Sequence, residues 1–583
     1  MILQELVKYY DRKSSEDDFP RPGFFYQKIR FEIIIDKKGS LIDIIDLVDE
    51  DGNTSYRLSP IVPDRSRDAE SVSGFLIDKA EYIFGSNKIL NKPKYAETFL
   101  RMTETAQSVI NSSEIAAVVA FLKNVKKINF SKELKEKILT KQGPYFTFRI
   151  DGTRNYIYEE PSIMKWIETE YSNILSRDSK DQNVEAQCLI SGVENSKIAR
   201  IHQQIKSGWL GDKNASIINF NDDAYTSYNK DQSYNAPVSI ESESKYSNAL
   251  KYLIYPGSQY KIRLGDLVIL FWSSEKSNIE DSFLSLFTDD NTASKNIEMQ
   301  DAESLKSSYR APFSGKQNKN DANKKFYILG LSANASRISI RFWQENRIKD
   351  ILENINSYFN DLELEVTRYE KNPNISIKQI LTSTAFQSKM DRVNPALHSK
   401  LVLAIINGSG FPRLLLSGIL NRIKAERNPN FVRISVIKAI LNRKGRNENF
   451  KNYPEVKISM DENNQNIAYR LGRLFAVMEM LQKQAINVTT IKDSYYTSAS
   501  TRPATVFPKL FALSNHHSSK LGPSGIFFEK LKGEILEPVS ASIPRTFNLE
   551  EQGLFAVGYY QQKNDLYKKK EVNEPNDGEE TNE

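Results

Sequence analysis

The pattern of hydrophobic positions changes character along this chain. Apolar residues recur at helical spacing in the opening MILQELVKYYDRK, which predicts a first helix. Ile-rich runs follow at 31–35 and 41–48, and the Asp36-Lys37-Lys38-Gly39 string between them predicts a turn and hence a hairpin. A second turn signal over 49–53 leads into 56–62, so the beginning of the chain reads as an antiparallel meander. Helical periodicity takes over from about 78 to 140. Another strand pair is predicted at 145–150 and 156–159, joined through Asp151-Gly152-Thr153-Arg154-Asn155, and a third β-rich stretch surrounds 261–272 and 326–343. Between them, residues 273–325 are rich in Ser, Asn, Asp and Lys and have the composition of a mobile insertion.

Beyond residue 346 strand signals fade and helical spacing dominates, broken by Gly and Pro at 408–412, 428–430 and 502–508. Ile467, Leu471, Leu474, Phe475, Met478 and Leu481 lie at offsets 0, 4, 7, 8, 11 and 14 and make one apolar stripe, as in a bundle helix. The expected fold class is therefore α+β and multidomain, with an N-terminal mixed α/β region containing antiparallel strands and a C-terminal all-helical bundle. The expected divisions are 1–345 (mixed, with the 273–325 insertion), 346–459 (helical and basic), 460–567 (helical bundle) and a disordered, charged tail at 568–583.

A length of 583 residues exceeds what one hydrophobic core usually organises, and 39% hydrophobic with 26% charged residues suits an ordinary soluble protein. The single cysteine, Cys188, allows no intrachain disulfide and reads as a buried small side chain, which fits a cytoplasmic location. The most apolar long window, 401–420, is interrupted by Asn407, Gly408, Gly410, Pro412 and Arg413, so no membrane span is expected. The N-terminus lacks the pattern of a signal peptide.

Catalytic patterns are not found. No GxxxxGK[ST] string offers a phosphate loop, and His202, His398, His516 and His517 show no metal-ligand spacing. Asp43, Asp46 and Asp49 would alternate between the faces of a strand rather than converge. No catalytic residue, metal or cofactor is therefore expected, and a nuclease using dispersed Asp and Glu residues is the enzymatic alternative.

The net charge of +6 is modest, but its distribution is uneven. Between 413 and 446, nine cations face one anion, Glu426. Arg422, Lys424, Arg443 and Lys444 are the candidates there for tracking phosphates, against the plainer reading of a solvated face balanced by acidic neighbours in the fold. Arg57, Arg65, Arg67 and Lys79 form a smaller candidate set near the first strands, with acidic residues interspersed. The polar and aromatic run 214–235 supplies Asn214, Asn219, Tyr228 and Asn235, with Lys206 just before it. Such side chains read or stack on bases, and they equally build hydrogen-bonded loops.

The order of several longer strings is more specific. MILQELVKYYDR followed by FEIIIDKKGSLIDIIDL resembles the opening of the large-subunit family of type I-C CRISPR surveillance complexes (Cascade). SGVENSKIARIHQQIKSGWLGDKNASIINFNDDAYTSYNKDQSYNAPVS is similar to its central segment and FYILGLSANASRISIRFW to another block. AYRLGRLFAVMEMLQKQAIN, SASTRPATVFPKLFALSNHHSSKL and EEQGLFAVGYYQQKNDLY resemble its C-terminal portion. The resemblance implies a non-catalytic subunit whose partners are guide RNA, the Cascade backbone subunits, target double-stranded DNA and a separate helicase-nuclease. It implies recognition of the protospacer-adjacent motif by the N-terminal part and contact with the displaced strand by the C-terminal helices. An architectural subunit that binds only the guide-RNA handle is the third reading. In SVSGFLIDKAEYIFG, residues 71–85, Gly74 and Lys79 stand where the family pattern has asparagines. The resemblance also implies a small subunit made by internal translation, for which Met460 is the candidate start; it would give a product of 124 residues.

Overall fold

The computed structural model describes residues 1–15, 19–49, 54, 56–61, 70, 72–139, 143–177, 184–205, 215–220, 222–277, 279–284, 322–334, 337–365, 375–450, 454–537 and 542–572. Most of the 273–325 stretch and the end of the charged tail lie outside them. The chain divides into two compact units, one of Met1–Gln259 with Ala333–Ile338 and one of Tyr260–Ser332 with Ser339–Glu583.

The first unit is built on a mixed sheet. Strand β1 (Phe24–Ile35) pairs antiparallel along its first half with β3 (Tyr56–Pro60) and along its second half with β2 (Leu41–Asp46). On its other side β1 runs parallel to β5 (Tyr145–Ile150), and β4 (Ile77–Lys79) closes the row antiparallel to β5. A parallel pair needs a long crossover, and here it carries α2 (Ala80–Ile83), α3 (Pro93–Val109), α4 (Ser113–Asn124) and α5 (Lys132–Ile138). Phe31, Ile33 and Ile35 of β1 are buried among Phe146 and Phe148 of β5 and Phe99 and Phe121 of the helices, with the Phe31 and Phe146 rings 4.8 Å apart. The predicted hairpin turn forms at 36–40. Asp36 Oδ1 accepts from the Lys38 and Ser40 amides at 2.8 and 2.7 Å, and Gly39 has φ +82°. A Cβ on Gly39 would lie 2.4 Å from the Ala117 carbonyl oxygen, so only glycine fits there.

The rest of the first unit packs α1 (Ile2–Lys13), the predicted first helix, against α7 (Ile240–Ile254), and includes α6 (Pro161–Arg177) and the short pair β6 (Glu185–Ala186) and β7 (Ser196–Lys197). The strand expected at 156–159 does not form. Ile157–Glu159 is a single 3-10 turn in which the Glu159 carboxylate accepts from the Tyr156 amide at 2.9 Å. Ile157 and Tyr158 are both buried, so successive side chains turn inward where a strand would alternate them.

In the second unit, β8 (Lys261–Leu264), β9 (Leu267–Ser273), β10 (Lys325–Asn334) and β11 (Arg337–Arg347) form an antiparallel meander in the order β11-β10-β9-β8. Strand β9, LVILFWS, is buried at every position and reads as an unbroken apolar run. The short α8 (Ile279–Phe283) lies between β9 and β10, and after β11 come α9 (Ile348–Leu362), α10 (Ile377–Thr382), α11 (Pro395–Ile406), α12 (Arg413–Glu426) and α13 (Phe431–Asn447), then α14 (Ile467–Ile486), α15 (Thr490–Ala499), α16 (Pro503–Leu521), α17 (Pro523–Leu536) and α18 (Leu549–Val572). The helical bundle centres on α14, where every residue from Ala468 to Gln482 is buried, so the predicted stripe is one face of a helix enclosed all round. It crosses α18 at two glycines: a Cβ on Gly472 would lie 2.1 Å from the Phe555 carbonyl oxygen, and one on Gly558 2.1 Å from that of Tyr469.

Candidate nucleic-acid interface

The 222–235 segment is an exposed finger stiffened from within. Asp222 Oδ1 accepts from the Ala224 amide at 3.0 Å, starting a 3-10 turn over Asp223–Tyr225. Ser227 and Lys230 then form an antiparallel bridge, closed by the Lys230 amide on the Ser227 carbonyl at 2.9 Å. Between them Tyr228 and Asn229 have φ of +50° and +58°, the left-handed pair of a tight hairpin that usually carries Asn-Gly. At the base, Asn235 Nδ2 donates to the Lys230 and Gln232 carbonyls at 2.7 and 3.0 Å, and Tyr234 is buried.

Tyr228 stands at the tip of this finger with 95% of its surface exposed. An aromatic residue in the left-handed region is disfavoured by about 1 kcal/mol, and with so little of its ring covered, packing returns almost nothing. The adjacent Asn229 is also exposed. Farther down, Arg337 Nη2 donates to the Tyr225 hydroxyl at 2.8 Å, and its guanidinium lies 5.4 Å from that ring. The two residues are 112 positions apart, brought together by the parallel bridge of Ser216 with Arg337. Asp231 faces Arg200 at 3.3 Å. The tip therefore offers a ring and an amide rather than a cluster of positive charge.

The other residues singled out from the sequence lie apart. Asn219 is half-buried ahead of the finger in the chain, while Lys206, Asn214, Arg65 and Arg67 lie outside the described residues. Arg57 is on β3 opposite Gln27, its guanidinium 5.7 Å from the Tyr156 ring. Lys79 is on β4 opposite Tyr145, so β1 and β5 separate the strands carrying these two cations. The turn before Lys79 is organised by buried Asp78, whose carboxylate accepts from the Gly74 and Lys79 amides, both at 2.7 Å.

The nine cations of the basic run in the second unit divide evenly into three buried, three half-buried and three exposed. Arg443 is buried; its Nε donates to Asp361 Oδ2 at 2.6 Å and its Nη1 to the Ala404 and Ser409 carbonyls. Arg446 donates to the same carboxylate, and Lys438, buried, to the Asp361 carbonyl at 3.0 Å. Burial holds the Lys438 ammonium below its ordinary range. Arg433 is buried on Glu426 at 2.6 Å, Arg422 faces the same Glu426 at 3.6 Å, Lys444 faces Glu550 at 2.6 Å, and Lys424 donates to Gln552 at 3.3 Å. The four cations proposed to track phosphates thus do not form one exposed row. Arg413 and Arg427 are exposed and make no ion pair among the described residues.

Sequence reading missed a lysine group in the first unit. Buried Asn87 donates through Nδ2 to the Val125 and Ile128 carbonyls at 2.8 and 3.0 Å, which brings Lys88 beside the 3-10 turn Val125–Lys127. Lys88, Lys126 and Lys127 are exposed, and among the described residues none makes an ion pair, whereas Lys94, Lys123 and Lys137 around them face Glu70, Glu104 and Glu133.

Among the described residues no group of three or more His, Cys, Asp and Glu residues is placed to hold a metal ion, and no helix is long and apolar enough to cross a membrane. Cys188 and His202 are buried, and burial lowers the His202 pKa to about 4. No curated protein matches the chain. A family model described as CRISPR-associated protein (Cas_Csd1) matches residues 6–567, nearly the whole chain. The chain belongs to the CRISPR-associated Csd1 family, the type I-C large-subunit family that its ordered sequence blocks resemble.

Proposed function

We propose that this chain is the non-catalytic large subunit of an RNA-guided surveillance complex in the cytoplasm. In this reading it binds target double-stranded DNA, recognises the protospacer-adjacent motif, stabilises the R-loop and supports recruitment of a separate helicase-nuclease. Its partners are guide RNA, the Cascade backbone subunits and a small subunit translated internally from the same gene. The observation that carries the reading is the Tyr228 hairpin in a chain of a CRISPR-associated family. A rigid turn that holds an uncovered ring and a neighbouring amide away from the protein suits insertion against base pairs, where the ring stacks and Asn229 meets base edges. Lys88, Lys126 and Lys127 are suited to the sequence-neutral part of the task, meeting phosphates as point charges.

The test is reconstitution of the RNA-guided complex with and without this chain. Motif-dependent affinity for a target duplex is expected only when the chain is present, and equal affinity in both cases would sink the proposal. Crosslinks to the duplex beside the target are expected as well; crosslinks confined to guide RNA and protein would favour a purely architectural subunit. Cleavage by the purified chain with a divalent metal would instead favour a nuclease.

A further inference from the structure

The second unit carries an aromatic platform that the basic run itself does not predict. After α10 the chain makes a tight 3-10 turn, Phe386–Ser388, in which Gln387 and Ser388 have φ of +56° and +52°. Phe386 points outward with 52% of its surface exposed. Two guanidiniums lie over its ring, Arg392 at 5.0 Å and Arg422 at 5.8 Å from the centroid. Exposed Lys389 lies between Phe386 and Arg392 in the chain.

This arrangement is anchored from below. Ala385 is buried, and the Ser388 amide donates to its carbonyl at 3.2 Å. Buried Arg433 ties the two sides together: its Nε donates to the Ser383 carbonyl at 3.2 Å, ahead of the turn, and its Nη2 to Glu426 at 2.6 Å, at the end of α12. Glu426 also faces Arg422 at 3.6 Å, so the guanidinium above the ring is held from the helix that carries it. A lone exposed phenylalanine is ordinary. A ring held in a left-handed turn with two arginines over it, on a support fixed by a third, buried arginine, is a built surface.

We propose that Phe386, with Arg392 and Arg422, is a stacking platform for a single-stranded segment of nucleic acid. Bases stack on the exposed surface of this ring-and-guanidinium cluster, where a guanidinium plane serves as well as the ring, and the two guanidiniums also meet the phosphates beside them. Because every base has a π-face, such a platform tolerates any sequence. The inference rests on the reading of the chain as a nucleic-acid-binding subunit and assigns single-strand contact to the second unit, separately from the Tyr228 finger. Deoxyribose and ribose strands share the recognised chemistry.

The test uses the full chain and three 20-residue probes: oligo-dT, oligo-rU, and an abasic deoxyribose strand with the same phosphates. Phe386→Ala is expected to weaken binding of one or both base-bearing strands about tenfold and to leave the abasic strand unchanged, and which base-bearing strand responds identifies the source. Phe386→Trp is expected to restore binding. Arg392→Gln with Arg422→Gln is expected to weaken all three strands and to lower the salt dependence. Phe386→Ala binding both base-bearing strands as tightly as the unaltered chain would overturn the platform while leaving the broader reading intact. An unaltered chain that binds none of the probes, nor duplex DNA within the reconstituted complex, would overturn both.

Discussion

Arg443 and Asp361 form a buried ion pair, with Arg443 Nε 2.6 Å from Asp361 Oδ2. Asp361 also receives Arg446, and its carbonyl receives Lys438, so three cations of α13 converge on one residue at the end of α9. A charge left alone in such a place is costly, because burial removes its water and the remaining partner cannot leave.

Asp361→Asn is therefore expected to destabilise the second unit by about 3 to 5 kcal/mol, read as a lower denaturation midpoint in urea, because it leaves buried Arg443 without its carboxylate. Arg443→Ala should cost less, because Arg446 still meets the Asp361 carboxylate, and the two together less than their sum. Additive losses would show that the pair is not the coupled element. Any DNA-binding defect of Arg443→Ala should follow its loss of folded protein.

Tyr228 separates stability from binding. Tyr228→Gly relieves a left-handed backbone and removes a ring that packs on little, so it should leave stability unchanged or raise it by up to about 1 kcal/mol. The same change should weaken motif-dependent duplex binding by the reconstituted complex about tenfold. Thermal melting and a binding titration on one preparation check both; a destabilised variant with unchanged affinity would make Tyr228 a structural residue.

Much of this was legible from pattern alone, and what was not has a common cause. The first hairpin and the α14 stripe follow from local spacing and turn chemistry, and both form as expected. The strand at 156–159 was a short apolar string that tertiary burial bends into a 3-10 turn. The pairing of the basic run is hidden from the sequence for a different reason. The run's excess counts neighbours in sequence, while the anions that meet Arg443 and Lys444 lie 82 and 106 positions away. Lys88, Lys126 and Lys127 escaped notice for the converse reason, since tertiary contacts, the Asn87 bonds and the Phe84–Phe130 ring contact among them, join their two short segments. The Arg337 contact with Tyr225 likewise leaves no local signal.

Acid should destabilise the first unit partly through His202. Its ring is buried, bonded to the Tyr246 hydroxyl, and burial lowers its pKa to about 4 from an ordinary 6.5. The unfolded chain therefore takes up a proton between those values while the folded chain does not, so stability present above pH 6.5 is lost as the pH falls through that window. The slope is about 1.4 kcal/mol per pH unit, or about 2 kcal/mol between pH 6.5 and 5. Buried Glu243 on α7, whose pKa burial raises, works in the opposite direction, so the comparison must be with a variant. His202→Gln should lose about 2 kcal/mol less over this range in urea unfolding at the two pH values; parallel losses would remove His202 as the cause.

The last prediction concerns a chain begun at Met460. Its first turn keeps its own anchors, since the Asp461 amide donates to the Tyr469 hydroxyl at 3.0 Å and Arg470 Nη2 to the Glu462 carbonyl at 3.1 Å. Helices α14 to α18 are all retained, including the crossing at Gly472 and Gly558. What such a chain loses is α12 and α13, which both pack on α18; a Cβ on Gly553 would lie 3.0 Å from Ile437 of α13 and 3.7 Å from Leu416 of α12. The product should thus be helical and fold cooperatively, yet present the α18 face that α12 and α13 cover. It should self-associate with rising concentration, because an uncovered apolar face is removed from water most readily against another. Circular dichroism and sedimentation over a range of concentrations check both statements, and mass spectrometry of the purified complex looks for a peptide beginning at Met460. An unstructured 460–583 chain would mean that α12 and α13 are needed for the bundle to fold, and would leave internal translation without a viable product.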